Sequence, residues 1–73
     1  MKNIQAKKKL LKMSDKLQKM RDSLEREYFI EEVWEQCFKA FPEKKTSEDN
    51  WYISEVRMWD IISDAYDLLE EAA

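Results

Sequence analysis

Phe41-Pro42-Glu43-Lys44-Lys45-Thr46-Ser47 is the stretch that divides this chain. Pro42 is the only proline among 73 residues, and glycine is absent. A proline disfavours the α conformation at the residue before it, so a helix entering this stretch has to stop near Ala40 or Phe41. Thr46 and Ser47 are good N-cap residues, Thr46 with Asp49 approximates a capping box, and Glu48 and Asp49 suit the positive end of a helix. The stretch predicts one all-α domain, with a first helix over about residues 3–41, a loop over about 42–46 and a second helix over about 47–72.

The rest of the chain agrees with helix. Without glycine, tight Asn-Gly or Asp-Gly hairpins cannot be built. Lys, Glu, Leu, Met, Ala and Arg, all good helix formers, dominate. Charged residues make up 40% of the chain, but its nine aromatics and helical apolar spacing argue against disorder.

Upstream of the break the apolar residues form two stripes. Leu10, Met13, Leu17, Met20 and Leu24 follow the 3-4-3-4 spacing of a coiled-coil seam. Ile30, Val33, Trp34, Cys37, Phe38 and Phe41 form the second. On a straight helix Leu17 and Trp34 lie about 100° apart, so the helix either bends near residues 23–27 or turns two faces to different neighbours. The expectation adopted is one continuous helix with two contact faces. It would be roughly 55 Å long against roughly 37 Å for the second helix. In an antiparallel hairpin about a dozen N-terminal residues would then project as an arm bearing Lys2, Lys7, Lys8, Lys9 and Lys12.

Downstream, Tyr52, Val56, Trp59, Ile62, Tyr66 and Leu69 form one stripe, and Trp51, Met58, Ile61, Ala65, Leu68 and Ala72 form its neighbour. Together they cover about 200° of the helix, twice what one packed side needs. A chain this short buries only about 60% of its unfolded surface. Its single cysteine, Cys37, cannot close an internal disulfide. The excess therefore predicts a homodimer or a higher homo-oligomeric bundle. The expected oligomer or partner interface is Leu10, Met13, Leu17, Met20 and Leu24 with Trp51, Met58, Trp59, Ile61, Ala65 and Leu68.

Charge is unevenly divided. Residues 1–26 hold nine basic and three acidic residues, a balance of +6; residues 27–73 hold four and thirteen, a balance of −9. Asp60, Asp64, Asp67 and Glu71 form an acidic stripe, and Glu27, Glu31 and Glu35 repeat its spacing. Both have an ordinary reading as water-facing sides. The functional reading of the acids is a surface for a basic protein groove. That of the arm is contact with phosphates or an acidic protein. No aromatic and little arginine interleaves with the lysines, so nucleic-acid binding would be sequence-independent and is only weakly supported. Membrane-surface binding is disfavoured by the narrow Leu/Met stripe, and no apolar run could span a bilayer or serve as a signal peptide. A cytoplasmic location, the host's if the chain is viral, is expected.

Catalytic chemistry is hard to assemble. Without histidine the usual neutral-pH base and the Ser-His and Cys-His pairs are missing, and without glycine so are phosphate-cradling loops. Cys37 reads as a small buried hydrophobe. No catalytic residue, metal ligand or cofactor is expected. Small, acidic, His-free helical chains recur among phage and prophage regulators and host-directed inhibitors, an analogy of size and composition. The expected function is a protein–protein interaction module that self-associates and binds a partner protein through the apolar and acidic surfaces of the second helix. The alternatives are a nucleic-acid binder using the basic arm and an oligomer that binds nucleotide-like ligands between Trp51, Tyr52 or Trp59 and the lysines.

Overall fold

A computed structural model describes residues 2–50 and 54–72. Among these the chain is all-helical and has no strand. Three α-helices follow one another: α1, Ile4–Gln18; α2, Leu24–Ala40; and α3, Glu55–Ala72. The segment between α2 and α3 contains two short 3₁₀ turns, Pro42–Lys44 and Ser47–Asn50.

The single long first helix is therefore corrected to two. α1 tightens at its end, where Lys19 N–H donates to the Lys16 carbonyl and Met20 N–H to that of Leu17, both at 3.1 Å. Ser23 then starts α2 as an N-cap: its backbone is extended and its hydroxyl accepts from Arg26 N–H at 3.2 Å. Glu25 and Glu27 in the first turn complement the helix dipole. The chain reverses between the two apolar stripes instead of carrying both on one rod. A 55 Å rod would not fit in any case, because the molecule's longest dimension is 35 Å.

At the far end of α2, Phe41 leaves the α region with φ −133° and ψ 71°, as the following proline requires. The next helix starts later than residue 47. Thr46 and Asp49 close a 3₁₀ turn rather than capping α3: the Asp49 carboxylate accepts from Thr46 N–H at 2.6 Å and from its hydroxyl at 3.0 Å. The cap of α3 is Ser54, whose hydroxyl accepts from Arg57 N–H at 3.3 Å.

α1 packs against both other helices, while α2 and α3 touch each other little. It is antiparallel to each. Lys7, near its start, reaches Ala40 at the end of α2, and Lys16 lies over Phe29. On the other side, Tyr66 of α3 donates to Asp15 at 2.9 Å, and Leu69 borders the groove beside Lys8 and Lys12. α2 and α3 thus run parallel, and the Arg26–Glu55 ion pair at 2.9 Å joins their starts. The stretch of residues 41–50 runs back along the bundle. Arg57 pins it by forking onto Asp49 at 3.0 and 3.1 Å and donating to the Lys44 carbonyl, and Lys44 pairs with Asp64 of α3.

The core lies where the three helices meet: Leu10 and Leu17 from α1, Ile30, Val33, Trp34, Cys37 and Ala40 from α2, Phe41 after it, and Met58, Ile61, Ile62 and Ala65 from α3. One side of the last helix thus finds its cover within its own chain, while Val56, Tyr66 and Leu68 of the predicted apolar arc stay exposed. α1 also makes the polar seams at its edges: Gln36 donates to the Ala6 carbonyl at 3.0 Å, and Ser14 lies 3.4 Å from the Tyr66 hydroxyl.

Candidate functional site

The expected contact residues separate into core and surface. Leu10, Leu17, Met58, Ile61 and Ala65 are buried inside the single chain, so they are corrected from interface to core. Met13, Met20 and Trp59 are partly buried against the same core. Leu24 and Leu68 are exposed, and Trp51 lies outside the described residues. The helix break explains Leu24. It begins a new helix, so the 3-4-3-4 seam that would have carried it inward ends at Met20.

The basic arm does not project. α1 is the central helix, and Lys7 is only 4% exposed. Its ammonium donates to the Ala40 carbonyl at 2.9 Å and the Lys2 carbonyl at 2.7 Å, and sits 4.4 Å from the centre of the Phe41 ring. A buried cation at the carbonyl end of α2 complements the helix dipole. Lys7 is a structural residue. The other arm lysines, Lys2, Lys8, Lys9 and Lys12, remain exposed, and none makes an ion pair among the described residues. Lys8, Lys9 and Lys12 rim a groove of about 370 Å³ between α1 and α3, together with Gln5 and over Leu11 and Leu69. Every charged side chain lining this groove is cationic. Further along α1 the surroundings become mixed, because Lys16 shares its groove with Glu25 and Glu32.

The acidic stripe of α3 divides in the same way. Asp64 is taken up by Lys44, while Asp60, Asp67 and Glu71 face solvent. Asp49, which the stripe did not include, is the most constrained acid. Burial pushes its pKa up, but the Thr46 N–H and hydroxyl and the Arg57 guanidinium outweigh burial and hold the carboxyl below its ordinary value. Its work is to fasten the segment between α2 and α3.

The surface that sequence reasoning missed is the outer side of α2. Leu24 is 68% and Tyr28 66% exposed, one helical turn apart, among the exposed acids Glu25, Glu27, Glu31 and Glu32. The available signal was the i,i+4 apolar pair directly after Ser23, which reads as a separate stripe once Ser23 is taken as a cap. Towards the other end of α2, the rings of Trp34 and Phe38 meet at a tilt of 59° with centres 4.9 Å apart and, with Pro42, Lys39 and Lys45, line a second groove of about 420 Å³. The indole N–H of Trp34 is buried with no partner among the described residues. Of the aromatics expected to combine with the arm lysines, Trp51 and Tyr52 lie outside the described residues and Trp59 is partly buried against the core; the groove at Trp34 has its own lysines, Lys39 and Lys45, offset by Glu35 and Asp49.

Cys37 is wholly buried, and burial pushes its thiol up to about 12, which makes the nucleophilic thiolate scarce at neutral pH. Among the described residues no group of three or more His, Cys, Asp or Glu side chains is placed to hold a metal ion. No helix among them is long and apolar enough to cross a membrane. No protein family, curated protein or solved structure matches this chain.

Proposed function

We propose that this chain is a non-enzymatic protein–protein interaction module, a small regulator or inhibitor that self-associates and binds a partner protein. The contact surface moves from the last helix to the outer side of α2. The observation that carries the reading is the pair Leu24 and Tyr28, exposed at 68% and 66% on a helix whose opposite side already fills the core. Their exposure adds nothing to folding, whereas covering such a side chain is worth about 1.5–3 kcal/mol. The surrounding glutamates select a partner surface that is cationic as well as apolar, and repel acidic surfaces.

The test uses the whole chain and the double variant Leu24→Ser/Tyr28→Ser, both exposed positions. Light scattering across concentration should give a mass above 8.9 kDa for the parent and 8.9 kDa for the variant. Immobilised on beads, the parent should retain at least one cationic protein from a native lysate that the variant does not. A parent that stays monomeric and captures the same proteins as the variant overturns the reading.

A further inference from the structure

Two of the surfaces left exposed by the fold are complementary. At the bundle end where α1 starts and α3 ends, the groove over Leu11 and Leu69 is rimmed by Lys8, Lys9 and Lys12, with no acid among its lining residues. At the opposite end, where α2 starts, Leu24 and Tyr28 stand among Glu25, Glu27 and Glu31. One is an apolar floor with a cationic rim, the other an apolar knob in a mainly anionic surround, with Lys16 beside Tyr28.

The spacings also agree. Lys8 and Lys12 are four residues apart, as are Leu24 and Tyr28, and Glu27 and Glu31, so each pair spans about 6 Å along its helix. Rows at i,i+4 are the ridges that interdigitate when helices pack. Because α1 and α2 are antiparallel, the two surfaces lie at opposite ends of one molecule and cannot meet within it. The contact has to come from a second molecule, and this chain itself presents the matching surface. By comparison, a broad polyanion such as duplex nucleic acid laid along α1 would reach Glu25 and Glu32, which share the groove of Lys16.

We infer that the start of α2 in one copy seats in the lysine-rimmed groove between α1 and α3 of a second copy. The inference rests on the self-association proposed above and names its geometry. Leu24 and Tyr28 cover Leu11 and Leu69, while Glu27 and Glu31 meet Lys8 and Lys12. The contact joins two different surfaces, so it is heterologous, and copies add head to tail unless the rotation closes a ring. Its ionic component weakens as salt rises.

The experiment is complementation between two variants. Lys8→Glu/Lys12→Glu spoils the groove and leaves the knob. Leu24→Ser/Tyr28→Ser spoils the knob and leaves the groove. All four positions are exposed, and helical circular dichroism checks folding; Lys8→Gln/Lys12→Gln replaces the charge reversal if that variant loses helix. The parent should gain mass with concentration and lose at least tenfold in association constant in high salt. Each variant alone should remain at 8.9 kDa. An equimolar mixture should form a one-to-one pair and nothing larger, because only one intact contact remains. A parent that associates while both variants associate equally well overturns this geometry and leaves self-association standing, as does a mixture that stays monomeric although the parent associates. A parent that is monomeric at all concentrations overturns both.

Discussion

Replacing Lys7 tests the claim that α1 is a built-in part of the core rather than a free arm. Its ammonium donates to the Ala40 and Lys2 carbonyls at 2.9 and 2.7 Å and rests on the Phe41 ring at 4.4 Å. Hydrogen bonds from a charged donor contribute about 1.5–3 kcal/mol, and a desolvated cation–π contact up to about 2. The cost of desolvating the ammonium offsets part of this. The net expectation for Lys7→Ala is a loss of about 2–3 kcal/mol, including the packed aliphatic stem. Lys7→Met keeps the stem and leaves two carbonyls without their donor, for about 1–2 kcal/mol. Lys8→Ala, one residue on and exposed, should change stability by no more than about 0.5 kcal/mol. A domain of this size has a total stability of only about 4–11 kcal/mol, so the Lys7 effects are a large share of it. Urea unfolding followed by tryptophan fluorescence should show the Lys7→Ala midpoint lower by about 2 M, taking a slope near 1 kcal/mol/M. Equal midpoints for Lys7→Ala and Lys8→Ala would mean that Lys7 is not built into the core.

Other consequences follow from single contacts. Ser23→Ala should destabilise the chain by about 1 kcal/mol through loss of the α2 cap, and Ser23→Asp should retain most of the stability; equal losses in chemical denaturation would show that the cap is not what starts the helix. Because Asp49 has its folded pKa below the ordinary 3.8, its contribution to stability is fully present above 3.8 and is lost as pH falls from there through the lower folded value. Asp49→Asn should flatten the acid side of a stability–pH curve, and a curve that keeps its slope would contradict the fastening role. Cys37 has the opposite sign. Its folded value of about 12 lies above the ordinary 9.0, so unfolding releases a proton the folded chain holds, and stability falls as pH rises through that window. At neutral pH a thiol reagent should modify it only as fast as the chain opens, and labelling at the rate of a free thiol would place Cys37 outside the core.

How much of this could be read from residues depends on how strongly each feature punctuates the chain. The end of α2 is legible because the steric demand of Pro42 on Phe41 is local and has no competitor. The break between α1 and α2 carries neither proline nor glycine. Its signals are the rotation between the Leu17 and Trp34 stripes and the single cap Ser23, and both are compatible with a continuous helix whose halves meet different neighbours. Met58, Ile61, Ile62 and Ala65 are buried while Val56, Tyr66 and Leu68 stay exposed, so only part of the predicted apolar arc is covered, and an arc does not say which chain the covering helix comes from. Once the first helix is divided, α1 supplies it, and Leu10 and Leu17 become core. Lys7 illustrates the remaining difficulty: alone it is indistinguishable from Lys8 and Lys9, and only the antiparallel return of α2 brings the Ala40 carbonyl within its reach. The candidate surface at Leu24 and Tyr28 was hidden for the same reason, since without the break Leu24 belongs to the coiled-coil seam.

One chain closes its own three-helix core, and the proposed contact lies on the outer side of α2. Amide hydrogen exchange compared between dilute and concentrated protein tests it most directly. The α3 amides around Met58, Ile61, Ile62 and Ala65 should already be protected in the dilute monomer, and concentration should add protection only at the start of α2 and along the lysine-rimmed part of α1. Amides of α3 that exchange freely when dilute, and become protected only as the protein is concentrated, would mean that the core needs a second chain.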